Sequence, residues 1–136
     1  MKTVVLDTNV LVSALLTPHG MPARILDAVL AGALRLVFDD RILGEYFEVL
    51  SRERFGFDTE HVKALLGFVQ SEGQAVVAPP LGIALPDPDD VMFVEVAVAG
   101  SADAIVTGNK NHFPADRYYG IPVASPAEFL SAFHPW

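Results

Sequence analysis

Lys2-Thr3-Val4-Val5-Leu6-Asp7-Thr8-Asn9 decides how this chain folds. Val4-Val5-Leu6 is a short, uninterrupted apolar run, the pattern of a strand buried on both faces of a parallel sheet, and it stops on a carboxylate. Open α/β sheets bind their ligands just beyond the carboxyl ends of such strands, so Asp7 occupies the position where this kind of fold does its chemistry. Further strand signals fall at Leu34–Phe38, Ala75–Val77, Ala104–Val106 and Pro122–Ala124, after a first strand at Thr3–Leu6. Helical patterns lie between most of them. The alternation predicts one α/β domain, a parallel sheet sandwiched by helices in a Rossmann-like three-layer arrangement with right-handed crossovers.

The helices follow from periodicity and punctuation. Val10 to Leu16 is apolar and stops at Pro18 and Gly20. A second helix runs from Met21 to Ala31, with Pro22 in its first turn and Gly32 as its stop. Asp39 or Asp40 caps the next, which carries Ile42, Leu43, Tyr46, Phe47 and Leu50 on one face. Val62, Leu65, Leu66 and Val69 form another amphipathic stretch after Asp58-Thr59, and Pro79-Pro80-Leu81-Gly82 is a turn or short linker. Val91 to Ala99 is apolar almost all round, broken only by Glu95, as expected of a buried central helix, and Asp87-Pro88-Asp89-Asp90 opens it. Ser125 caps a last helix from Pro126 to Phe133.

The 136 residues suit a single domain, and 51% hydrophobic against 19% charged content marks a compact globular chain. The absence of cysteine excludes thiol catalysis, thiolate metal sites and disulfides, and fits a reducing cytoplasm. No apolar run approaches the roughly 20 residues needed to span a bilayer, and the N-terminus lacks a signal-peptide pattern. A soluble cytoplasmic protein with no membrane partner is therefore expected. A net charge of -8, from 17 acids and 9 bases, disfavours loose charge-driven binding to nucleic acid through a basic stripe. It agrees with an acidic cleft that holds divalent cations for phosphodiester chemistry.

In a parallel sheet Asp7, Asp39, Asp40 and the Thr107-Gly108-Asn109 turn share one edge, and the helix opened by Asp87 can aim its start, with Asp90, at that edge. Carboxylates so gathered raise one another's pKa values, and a hard cation such as Mg²⁺ or Mn²⁺ relieves the repulsion. Each residue also has a structural explanation. Asp7 can cap the following helix, and Asp87, Asp89 and Asp90 suit a helix N-terminus through capping and the dipole. Glu45 and Glu48 lie off the apolar stripe of their helix and so face solvent. Thr107-Gly108-Asn109 can be a plain turn. Arg52 and Arg54 suit a helix C-terminus, or touch phosphates. His19, His61, His112 and His134 show no ligand spacing and read as surface or packing residues. Pattern alone does not choose among these.

Three segments carry a resemblance to a known family: Val4-Val5-Leu6-Asp7-Thr8-Asn9-Val10, Ile42-Leu43-Gly44-Glu45-Tyr46, and DPDDVMFVEVAVAGSADAIVTGNKNHF from Asp87 to Phe113. With their order and spacing the chain resembles the PIN-domain family, in particular the stand-alone, VapC-like bacterial type assigned as toxins of type II toxin–antitoxin modules. The resemblance implies a PIN-like fold and a metal-dependent ribonuclease in which acids gather Mg²⁺ or Mn²⁺, activate water for in-line attack, and leave a 5′-phosphate and a 3′-hydroxyl. Carried over by position, Asp7 is the first acid, Glu45 the second and Asp90 the third, the last because it stands seven residues before Ala97. Asn109 and Asn111 occupy positions where many relatives have acids, so Asn109 offers at most a neutral carbonyl ligand and the resemblance favours a single ion. Thr8, Asn9 and Thr107 are placed to orient ligands or the phosphate, and Arg52, Arg54 and Lys110 to touch the RNA backbone. A toxin role further implies a small antitoxin that covers or enters the acidic edge, and a homodimer. Phe55, Phe57, Tyr118, Tyr119 and Trp136 are candidate interface anchors.

Two other readings compete. Phosphoaspartate folds also end a first strand on Asp and place Thr and Lys later, a pattern that Asp7, Asp40, Thr107 and Lys110 superficially meet, although Asn9 stands where the phosphatase type needs an acid. The other is a PIN fold that binds RNA or protein without cutting, to which Asn109 and the acidic balance lend weight.

Overall fold

The computed structural model describes residues 1–133. Among them, six strands pair into one sheet: β1 (Lys2–Leu6), β2 (Leu34–Phe38), β3 (Gln74–Ala75), β4 (Ala104–Val106), β5 (Arg117–Tyr118) and β6 (Ile121–Ala124). Their order is β3-β2-β1-β4-β6-β5. β1 and β4 are the centre, paired in parallel with Val4 against Ala104, Val5 against Ile105 and Leu6 against Val106. Every one of those six side chains is buried, which is why both strands read as unbroken apolar runs rather than alternating ones.

From β1 the chain steps outward to β2 and β3 on one side, while β4 lies on the other side and leads out to β6. The strand order thus reverses between β1 and β4, and at such a switch point the connections diverge and leave a crevice at the carboxyl edge. The last ladder bond before the crevice runs from the Asp7 N–H to the Val106 carbonyl, 2.9 Å.

Helices α1 (Thr8–Leu16), α2 (Met21–Leu30), α3 (Asp40–Leu50), α4 (Thr59–Glu72), α5 (Val91–Ala99) and α6 (Pro126–Ala132) flank the sheet. α5 packs on β1, β2 and β4 through Phe93, Val94, Val96 and Ala97, all fully buried, as its all-round apolar sequence predicts. α2 lies against β2 and α6, and α6 against β4 and β6. Of the two aspartates able to cap α3, Asp39 does so, its Oδ1 accepting the Ile42 N–H at 3.0 Å. Asp58 caps α4, and Ser125 closes a reciprocal capping box with Glu128 on α6. None of these helices is long and apolar enough to cross a membrane.

The all-parallel expectation needs correcting at one edge. β5 pairs antiparallel with β6 through a two-residue turn, Tyr119 (φ 52) and Gly120 (φ 82), whose left-handed residues match the twist of a hairpin. Two residues of β5 are too few to leave a periodic signal. β3 is also shorter than Ala75–Val77: it pairs only at Gln74 and Ala75, and Val77 stands free of the sheet. Its entry is set by Gly73, where a Cβ would lie 2.5 Å from the Val69 carbonyl oxygen and 2.9 Å from that of Leu36. The aromatic candidates divide. Phe57 and Tyr118 pack partly on the core, Phe55 stacks on Phe57, and Tyr119 is exposed. His134 and Trp136 lie outside the described residues.

Candidate functional site

Asp7 occupies the N-cap position of α1 without a side-chain capping bond of good geometry, although the Asn9 and Thr8 N–H groups at the helix start help hold its pKa down. Its Oδ2 accepts the Thr107 hydroxyl at 2.8 Å and the Asn9 amide at 3.2 Å. Thr107, fully buried at the end of β4, has its oxygen fixed from behind by the Asn109 N–H at 3.1 Å. Asn9 is held by the Gly108 N–H, which donates to its Oδ1 at 3.0 Å. The two connections that diverge at the switch point are therefore laced together through Asp7, Asn9 and Thr107.

α5 delivers the second carboxylate. Asp87 caps the short 3₁₀ turn Pro88–Asp90 by accepting the Asp89 N–H at 2.9 Å, and both of those acids remain exposed. Asp90 alone of the three turns inward and is 8% exposed. Its Oδ2 is buried without a hydrogen-bond partner. Facing it is a residue that spacing did not single out: His112, whose Nδ1 lies 3.4 Å from Asp90 Oδ2. Ligand atoms of Asp7, Asp90 and His112 all lie within 4.8 Å of one another. His112 does lie at the surface, its side chain 42% exposed, as the sequence reading has it; what spacing did not show is that its ring faces Asp90 and Asp7. The signal was local, an Asn-initiated turn (Asn109 Oδ1 accepting the Asn111 N–H at 3.1 Å) followed by a buried Phe113, which anchors the turn and brings its last residue to the site.

Glu45, placed in solvent by periodicity, is half-buried, and its Oε2 accepts the Thr8 hydroxyl. The reason is its neighbour. Tyr46 is buried and donates its hydroxyl to the Leu6 carbonyl at 2.5 Å, which clamps α3 against the end of β1 and carries Glu45 to the start of α1. Glu48 does face solvent, bound to Arg52 at 2.9 Å.

The electrostatics are those of acids crowded out of water. Burial pushes Asp90 up from 3.8 to about 6, with the Asp7 charge adding to the effect. Burial also raises Asp7, opposed by the Thr107 hydrogen bond, and it raises Glu45, opposed by Thr8 and reinforced by Asp7. The donor set, carboxylate oxygens with one imidazole nitrogen and an orphaned buried oxygen, fits a divalent cation.

Other candidates lie elsewhere. Asp39 is taken up by Ile42 and by Arg41 at 2.8 Å, and Arg41 reaches on to buried Glu95, also 2.8 Å. Glu95 accepts the Leu81 N–H at 2.9 Å, so the lone charge of α5 ties α3 to the linker rather than joining the site. Asp40 is exposed, and Asp103 binds the Thr3 N–H at the opposite end of the sheet. Arg54 stacks over Phe55, and Lys110 pairs with Glu128 at 3.1 Å. Phosphoaspartate chemistry needs that lysine at Asp7, so the geometry disfavours it.

A family model described as PIN domain matches residues 3–111. Uncharacterized protein MJ1680 of Methanocaldococcus jannaschii is 30% identical over 96% of this chain and 90% of its own length. Among solved structures, VapBC2 from Rickettsia felis, bound to a DNA fragment from their promoter, has a TM-score of 0.60 at 17% identity, covering 90% of this chain and 98% of that chain. FitAB bound to an IR36 DNA fragment scores 0.62 at 17% identity, covering 90% and 94%. FitAcB from Neisseria gonorrhoeae scores 0.60 at 18%, covering 91% and 98%. These structural likenesses speak to the fold. With the family match spanning both strands of the switch point and all the acids gathered there, the chain belongs to the PIN-domain family.

Proposed function

We propose that this protein is a metal-dependent endoribonuclease, the toxin of a toxin–antitoxin pair. The observation that supports this most is the meeting of Asp7, Asp90 and His112 at the switch point around an Asp90 oxygen that has no hydrogen-bond partner. Asp7 and Asp90 would hold Mg²⁺ or Mn²⁺, with Glu45 beside them. When bound, such an ion neutralises charge on the scissile phosphodiester and activates water for attack. Thr107 and Asn9 fix Asp7 by bonding one oxygen and leaving the orientation of the carboxylate a single choice. Glu45, with its proton affinity raised by burial and one oxygen engaged by Thr8, is suited to accept a proton from the attacking water. Cleavage on the 3′-oxygen side leaves a 5′-phosphate and a 3′-hydroxyl. Asn109 is not needed as a ligand in this reading, because its Oδ1 caps the turn that carries His112.

The structural neighbours were solved as complexes, VapBC2 and FitAB, which supports a small antitoxin partner here. Asn109, neutral where relatives often carry an acid, favours a second reading: a fold that binds RNA or protein without cutting. The deciding experiment incubates single-stranded RNA of mixed sequence with purified protein in Mn²⁺, Mg²⁺ or EDTA, beside Asp7→Asn. Cleavage that needs the metal and vanishes in the variant is expected. Inactive wild type with intact RNA binding would turn the assignment to the second reading.

A further inference from the structure

We infer that His112 is itself a ligand of the ion, a nitrogen donor that takes the place of the missing fourth acid and biases the site toward Mn²⁺ over Mg²⁺; the inference rests on the metal-dependent reading above. Two observations and one rule of coordination geometry lead to it. His112 Nδ1 and Asp90 Oδ2 are 3.4 Å apart, too far for the charge-assisted hydrogen bond of about 2.7–2.9 Å that a simple ion pair would form. Two donors sharing one ion at about 2.1–2.2 Å each naturally stand about 3.0–3.6 Å apart. Asp90 Oδ2 is meanwhile buried with no hydrogen-bond partner, so the pair points at a third party rather than at each other.

The local sequence is built to place the ring. Asn109 begins a 3₁₀ turn over Lys110–His112 with its own side chain, Lys110 is tied down by Glu128, and Phe113 is buried immediately beyond. The residue that would have been an acidic ligand thus serves as the cap of a turn, and the ligand moves to the end of that turn. The exchange changes the chemistry of the site. Mg²⁺ demands near-ideal octahedral oxygen donors and keeps its waters, whereas Mn²⁺, a softer first-row transition ion, tolerates one nitrogen donor among oxygens better.

The test is Mn²⁺ and Mg²⁺ binding to untagged wild type, His112→Gln and Asp90→Asn by calorimetry, with pulsed EPR of the Mn²⁺ complexes to detect ¹⁴N bound to the ion. Wild type is expected to bind Mn²⁺ with a ¹⁴N coupling. In His112→Gln that coupling disappears and Mn²⁺ affinity falls at least about tenfold, the scale on which metal-site residues act, while Mg²⁺ affinity changes less. Mn²⁺ bound by wild type at the Asp90-dependent site without ¹⁴N coupling, or coupling and affinity unchanged in His112→Gln, overturns the inference and leaves the nuclease reading standing. Wild type that binds neither ion, or binds them as Asp90→Asn does, overturns that reading and this inference with it.

Discussion

Asp90→Asn should make the metal-free protein more stable and the metal-loaded protein less so. Burial beside Asp7 moves the Asp90 pKa from 3.8 to about 6. Each tenfold change in proton affinity is worth about 1.4 kcal/mol, so keeping this group ionised in the folded chain costs up to about 3 kcal/mol. The side chain retains 11% exposure, and solvent reaching its edge lowers the working figure to about 1.5 kcal/mol. At this chain length that is about 5 °C in Tm. The sign in pH follows from the direction. The folded state binds the Asp90 proton more tightly than the unfolded state, so wild type loses stability as pH rises from about 4 to about 6 and is level above. Asp7 and Glu45, also raised, slope the same way, so the variant has a shallower decline rather than none. Chemical and thermal denaturation at pH 8 in EDTA should therefore place Asp90→Asn above wild type. Added Mn²⁺ reverses the order, since an ion at a hundred times its Kd adds about 2.7 kcal/mol to a protein that binds it and nothing to one that does not. Asp90→Asn less stable than wild type in EDTA, or with the same Mn²⁺ response, would refute the argument that this carboxylate is held under repulsion for a cation.

Asp7→Asn should lower metal-dependent RNA cleavage at least about a hundredfold, since it removes a charge several kcal/mol of phosphoryl-transfer catalysis depends on, as single-turnover rates in Mn²⁺ would show. Thr107→Val keeps the shape but deletes the hydrogen bond that lowers the Asp7 pKa; Mn²⁺ affinity measured calorimetrically at pH 6 should fall more than at pH 8, and equal falls would count against it. Tyr46→Phe leaves the Leu6 carbonyl without its buried donor and should destabilise the fold by about 1–2 kcal/mol in urea titrations. RNA affinity measured in Ca²⁺ should depend weakly on salt, with a slope of log K on log salt smaller in magnitude than about 2. Net charge is -8, and Arg52 and Lys110 are already paired with acids, so few cations are left to neutralise phosphates; a slope of 4 or more would show a basic surface that the pairing hides.

Most of the architecture was legible because it rests on burial. β1, β4 and α5 are apolar for the reason they are central, and their runs end where the sheet ends. Asp7 was legible with them, as the first polar residue after the buried run Val4-Val5-Leu6. What periodicity could not reach depends on one contact at a time. Glu45 reads as a surface residue in any helical projection, and only the Tyr46 hydroxyl on the Leu6 carbonyl turns that face toward the site. β5 is two residues long and is created by a left-handed turn, so it had no pattern to show. His112 belongs to the same class: its place is set by a cap, an ion pair and a buried phenylalanine acting over five residues, none of which is periodic.

The same division explains why the acids sit together at all. Nothing in their charges favours the arrangement, since burial raises all three, the Asp7 charge raises both Glu45 and Asp90, and Glu45 raises Asp90 further. Asp7 is carried in by the buried Val4-Val5-Leu6 end of a central strand and Asp90 by the most apolar helix, and both are elements whose packing outweighs a penalty of a few kcal/mol. Glu45 is carried in by α3, clamped at Tyr46, and His112 by a turn pinned at Phe113. Each side chain that bears chemistry is therefore adjacent in sequence to a residue buried at 1% exposure or less, Leu6, Tyr46, Phe113, or to the start of a helix whose core residues are. Repulsion at the switch point is sustained by anchors one residue away, and it leaves the site with a standing preference for whatever brings positive charge.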